Sequence, residues 1–194
     1  MPKIVDHDER REELITATWR TIRKLGIAGA TTREIAKEAG IAHGLLAYYF
    51  ADKNAMLEAA LDRAYVVAAE QLVARISDLT GVAAVRETLL AALPIGDNRP
   101  EVEVLVASWG AMVTDEAQRT RRYTSFREWR DTVRLLVAAA VAAGEMTAEQ
   151  TPGEIADALV ALADGLTLHA VMAPADYPAQ RLVATVDKAI ERYR

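Results

Sequence analysis

Residues 31–53, TTREIAKEAGIAHGLLAYYFADK, hold six polar side chains of types suited to gripping a nucleic acid. Arg33 and His43 carry groups that can reach base edges. Thr32, Tyr48, Tyr49 and Lys53 offer hydroxyls and an ammonium suited to phosphate oxygens. Lys53 and the amides that open the following helix also favour an anion through the helix dipole. Nothing comparable in the chain suits bond-breaking chemistry. There is no nucleophile–base arrangement, no phosphate-cradling Gly loop and no paired-carboxylate constellation. With three His and no Cys, neither a metal site nor a cofactor is expected, and the chain does not read as an enzyme.

Short helices must position these groups. Thr31 opens TTRE, a capping box in which its hydroxyl accepts from the Glu34 amide while the Glu34 carboxylate reaches back. Ala36 is small enough for two helices to cross closely, and Gly40 can take the left-handed conformation that ends one helix and redirects the chain. Ile41 plugs the turn. A third helix, roughly Ala42 to Tyr49, turns Leu46 and Phe50 inward, four apart, and leaves His43, Gly44, Ala47 and Tyr48 outside. Helix, glycine turn, short helix is the helix-turn-helix pattern. Its outer face carries small residues that allow deep entry into a major groove. A first helix from about Asp8 to Leu25, with Leu14, Thr18, Ile22 and Leu25 on one stripe, precedes it. Asp52 caps a long fourth helix.

The segment TTREIAKEAGIAHGLLAYYFADKNAML resembles the DNA-binding segment of the TetR family of bacterial transcriptional regulators, over about residues 10–57. The resemblance implies an all-α fold, with three N-terminal helices joined to a larger helical ligand-binding and dimerisation domain. It also implies DNA contacts at Thr32, Arg33, His43, Gly44, Leu45, Ala47, Tyr48, Tyr49 and Lys53. Ala42 stands where the family usually has a Ser or Thr cap, Leu45 where it usually has a polar residue, and Ala47 where Tyr is frequent. Contact with thymine methyls is the substitute these apolar positions allow.

A boundary at 53/54 separates residues 1–53 from residues 54–194, where the apolar mass lies. Helices are predicted at 82–93, about 100–115, about 118–143, 154–173 and 178–193, with TPGE a second capping box. Val102, Leu105, Val106, Trp109, Met112 and Val113 share one helical face. Tyr123, Phe126, Arg130, Val133 and Val137 share another, with Trp129 adjoining. Each aromatic taken alone reads as core; together Trp109, Met112, Phe126 and Trp129 can line a ligand pocket, with Tyr65, Arg130 and His169 as polar anchors. His169 falls on the series Ile155, Leu159, Leu162, Leu166, expected to face inward, where a core role competes with a ligand contact. The opposite face, Ala156, Val160, Ala163, Thr167 and Ala170, together with Leu182, Val183, Val186 and Ile190 of the last helix, is expected to pair two subunits in a four-helix bundle. RPEV…W…M and ADALVALADGLTLHAV are similar to the BetI-like branch of the family.

The net charge of −5 is uneven. Residues 1–53 hold nine Lys/Arg and eight Asp/Glu, a balance of +1, against −6 for the remainder. A near-neutral module can gather its cations on one face. The charged opening MPKIVDHDERREEL lacks an apolar signal core, so a cytoplasmic protein is expected. No apolar run is expected to reach membrane-spanning length. The leading expectation is a homodimeric repressor, released from an inverted-repeat DNA operator by a small-molecule effector. The alternative is an all-helical small-molecule-binding protein without DNA function.

Overall fold

The computed structural model describes residues 7–147 and 149–194, apart from the side chains of 97, 111–114, 118 and 121. Among these residues the chain is helical, with no strand: α1 (His7–Gly29), α2 (Thr32–Glu38), α3 (Leu46–Tyr49), α4 (Lys53–Ile76), α5 (Gly81–Ala91), α6 (Arg99–Thr114), α7 (Glu116–Ala142), α8 (Pro152–Met172) and α9 (Ala179–Glu191). It divides into two compact units between Ala68 and Ala69, inside α4.

In the first unit, Leu14, Ile15, Ala17 and Ile22 of α1 are buried, as are Ile35, Ala36, Leu46, Phe50 and Met56. The hydroxyls of Thr18 and Thr21, also buried, donate to the carbonyls of Leu14 and Ala17 at 2.7 and 2.8 Å, so neither is left without a partner. Regular α1 geometry breaks at Gly26, where φ is +71°. That break leaves Leu25 half exposed rather than on the inner stripe. Glu38 of α2 receives Lys24 at 2.6 Å and Arg20 at 3.4 Å from α1. The hydrogen bond from Lys24 holds its carboxyl below the usual range. The capping box at α2 is half formed. The Thr31 hydroxyl accepts from the Glu34 amide at 3.2 Å, while the Glu34 carboxylate lies 3.9 Å from Lys37.

The second unit packs α5, α7, α8 and α9 around Val85, Leu89, Leu93, Val133, Val137, Ile155, Leu159, Leu182 and Val186. Burying a side chain of this size contributes about 1.5–3 kcal/mol, so these few residues dominate its stability. Directed contacts set the register. Arg86 of α5 meets both carboxylate oxygens of Asp187 in α9 at 2.6 and 3.2 Å. The Thr167 hydroxyl of α8 donates to the Ala92 carbonyl at 3.1 Å. Thr151 and Glu154 form the complete capping box that TPGE predicts. Thr80 gives α5 no side-chain cap; the Glu145 carboxylate accepts from the Val82 amide at 2.9 Å instead. Gly81, at φ +56°, lies against that carboxylate, where a Cβ would collide with it.

Three expectations are corrected here. The buried face of α8 is Ile155, Ala156, Leu159, Val160, Ala163, Leu166, Thr167 and Ala170, so most of the small residues expected to meet a partner lie in the chain's own core. Leu182, Val186 and Ile190 of α9 are buried with them, and Val183 packs at the edge. His169 turns outward and stacks on Tyr177 at 5.3 Å. On α7 it is Arg122 that is buried, while Tyr123 is half exposed. Finally, α8 is by length and composition apolar enough to cross a membrane. Its eight buried residues show that this apolarity serves the core, because a helix that is apolar nearly all round packs on several neighbours at once.

Asp164, half-buried on α8, has its carboxyl pushed up to about 6 by burial. The folded state therefore holds this proton more tightly than the unfolded chain. The stability it contributes is complete below the ordinary value of 3.8 and is lost as pH rises through about 6. The urea midpoint should fall across that window. Asp164→Asn should remove the fall and stabilise the protein at neutral pH by on the order of 1 kcal/mol, allowing for solvent screening.

Candidate nucleic-acid interface

The turn after α2 is fixed by the backbone. Gly40 sits at φ +66°; its amide donates to the Lys37 carbonyl at 3.2 Å, and the Ile41 amide to that of Ala36 at 3.0 Å. These bonds satisfy carbonyls that the end of α2 would otherwise leave open. The chain restarts as a single 3₁₀ turn, His43–Leu45, which Ala42 cannot cap with a side chain. It then tightens into the four residues of α3. Neither piece is long enough to be stable alone. Leu46 and Phe50, 3% and 5% exposed, anchor both against the first unit's core.

With those two residues inward, the opposite face is open. Leu45 is 43% and Tyr48 71% exposed, and His43, Gly44 and Ala47 are exposed beside them. A Cβ built at Gly44 would meet no atom within 4 Å, and its φ is not positive. The chain's own packing therefore makes no demand for glycine there. The His43 Nε2 lies 2.8 Å from the Thr32 hydroxyl, which ties the start of α2 to the start of the recognition turn. Thr32, Tyr49 and Lys53 are half-buried at the margin, and Arg33 is exposed. Lys53 is the first residue of α4, whose opening turn is capped by the Asp52 carboxylate accepting from the Ala55 amide at 2.8 Å. All nine residues expected at DNA thus lie within the first unit on α2, the recognition turn, α3 and the start of α4.

Sequence reading missed what supports this face from behind. The His7 ring lies 5.4 Å from the Tyr48 ring and 4.9 Å from that of Tyr49, and the two Tyr rings meet edge-on at 5.0 Å. One turn along α1, the Arg11 guanidinium sits 5.0 Å over the Phe50 ring. The i, i+4 spacing of His7 and Arg11 was the available signal, but it names no partner.

The residues expected to bind a ligand are more scattered. Tyr65 lies on α4 in the first unit. In the second, Trp109 of α6 is half-buried, and the Met112 side chain lies outside the described residues. Phe126 of α7 stacks with Tyr123 at 6.4 Å. Trp129 packs on the core, Arg130 lies 3.5 Å from Asp131, and His169 is exposed on α8. Among the described residues no cluster of His, Asp or Glu suits a metal ion.

A helix-turn-helix unit with an open recognition face, followed by a separate helical unit, is the build of a DNA-binding transcriptional regulator. Residues 14–60 match the family model of bacterial regulatory proteins of the tetR family, and residues 81–194 match that of the BetI-type transcriptional repressor, C-terminal. The chain is 32% identical to the HTH-type transcriptional regulator BetI of Escherichia coli (strain SE11), over 92% of this chain and 91% of that protein. It is 29% identical to the HTH-type transcriptional regulator PksA of Bacillus subtilis, over 98% and 93%. Among solved structures, a transcriptional regulator from Saccharomonospora viridis in complex with choline superposes with a TM-score of 0.86 at 22% identity, covering 95% of this chain and 96% of that one. A regulator from Rhodococcus sp. Rha1 gives 0.74 at 27%, covering 94% and 95%. The chain belongs to the TetR family, with a BetI-type C-terminal domain. It is a DNA-binding transcriptional regulator and not an enzyme.

The Thr32–His43 contact yields a test. Thr32→Val keeps the side-chain volume but loses the hydroxyl, and His43→Ala removes the ring. Measured as operator affinity, the double variant should be little weaker than the weaker single one, a coupling of about 0.5–3 kcal/mol. Additive losses would show that the two side chains act separately.

Proposed function

We propose that this chain is a homodimeric, ligand-responsive repressor that binds an inverted-repeat operator through the face centred on Gly44 and leaves it when a small molecule binds the C-terminal domain. The observation that carries the reading is the bare outer face Gly44, Leu45 and Ala47, which is flanked by the His43–Thr32 pair and by Tyr48 and Tyr49. A short helix lined by small side chains can approach base edges closely. His43 and Arg33 would read bases, Leu45 and Ala47 would touch thymine methyls, and Thr32, Tyr48, Tyr49 and Lys53 would position the unit on phosphates.

Two copies are needed to read two half-sites one helical turn apart, about 34–36 Å. The α8 positions that point away from the core, Ala158, Ala161, Leu168 and Met172, are exposed and largely apolar, with Leu168 at 41% and Met172 at 73%. They replace the buried stripe as the proposed pairing surface on α8. The boundary of the DNA-binding part is proposed at 53/54. The effector would enter among α6, α7 and α8, where Trp109, Phe126, Trp129 and Arg130 are half-buried. It must bind the two conformations unequally to act. Choline, the ligand of the S. viridis neighbour, is the first compound to test. Such a regulator works in the cytoplasm, beside the chromosome.

Fluorescence anisotropy with a duplex from the region upstream of its own gene tests the reading; absence of binding at low salt would contradict it. Lys53→Ala should weaken binding to all sequences alike and lower the salt slope by about 0.9. His43→Ala should change base preference at one position of each half-site, with discrimination of about 1–3 kcal/mol lost there.

A further inference from the structure

We propose that His7 is a positioning residue of the DNA interface, acting through the rings of Tyr48 and Tyr49 rather than on the DNA itself. This rests on the reading of the α3 face as DNA-binding. Tyr48 is 71% exposed and belongs to a helix of four residues, so its own element gives its ring little to rest on. The His7 imidazole touches both Tyr rings, at 5.4 Å edge-on and 4.9 Å tilted, while those rings touch each other at 5.0 Å. Three rings thus close a triangle in which each has two neighbours. Edge-on and tilted pairs at these distances are attractive arrangements of aromatic rings.

The base of the triangle is held as well. Arg11, four residues on and on the same face of α1, places its guanidinium 5.0 Å over Phe50, the residue that pins α3 to the core. The opening two turns of α1 therefore lie along the whole Tyr48–Tyr49–Phe50 trio. A Tyr hydroxyl that must meet a phosphate loses rotamer freedom on binding, at a cost of about 0.5–1.5 kcal/mol per side chain. A ring already packed in its bound orientation has met that cost in the unbound protein. Removing His7 returns it to the binding step for two side chains at once.

The test compares operator affinity for the full-length protein and its His7→Ala and His7→Phe variants across a salt series, with thermal midpoints measured alongside. His7→Ala should bind about tenfold more weakly with an unchanged salt slope, because no phosphate contact is lost. Its thermal midpoint should match wild type, since His7 is exposed at the helix end. His7→Phe, which keeps a ring but no ionisable nitrogen, should restore affinity. Wild-type affinity in His7→Ala would overturn the proposal, as would a reduced salt slope or failure of Phe to rescue; the latter two would make His7 itself a contact to DNA. If wild type binds no upstream duplex, it is the DNA-binding reading of the face that fails.

Discussion

Burial of Leu46 and Phe50 is the interaction on which the rest of the recognition face depends. A single 3₁₀ turn followed by four helical residues cannot hold itself together, because helix nucleation costs more than so few hydrogen bonds return. Two buried anchors, each contributing about 1.5–3 kcal/mol, fix the rotation of that element. Once they point inward, helical geometry alone sends His43, Gly44, Ala47 and Tyr48 outward. The exposure of Tyr48, odd in isolation, follows from where Phe50 must go.

The surrounding contacts act on the same geometry. The positive φ of Gly40 sets the entry of the chain into the recognition turn, and the pairing of Glu38 with Lys24 and Arg20 holds α2 against α1. The His43–Thr32 bond then fixes a side chain on a backbone already in place. The second unit follows a different logic. It is joined by contacts distant in sequence, such as Arg86 with Asp187 and Glu145 with the Val82 amide. These bind helices whose own faces carry little polar contrast.

That difference explains what could be read from the sequence and what could not. The recognition region was legible because its signals are local: Thr31 before a helix, Gly40 after it, Leu46 and Phe50 four apart. The small side chains at 44 and 47 are equally visible without a fold. The orientation of α8 was not legible. Ala156, Ala163 and Ala170 look like an outward small-residue stripe, but in a helix apolar nearly all round, residue size does not say which face is inner. Packing decided it, and the buried set spans both stripes. The link from His7 to Tyr48 and the Glu145 cap on α5 were invisible for another reason: each joins residues far apart in the chain, with no periodic pattern to connect them.

The central claim is that the open face at Gly44 exists for a duplex and not for the protein's own packing. The most direct measurement is the operator affinity of Gly44→Phe beside its thermal midpoint. A side chain at this position meets no protein atom within 4 Å of its Cβ, so the midpoint should match wild type while binding collapses, the ring occupying the space a groove needs. Operator affinity equal to wild type in that folded variant would contradict the account.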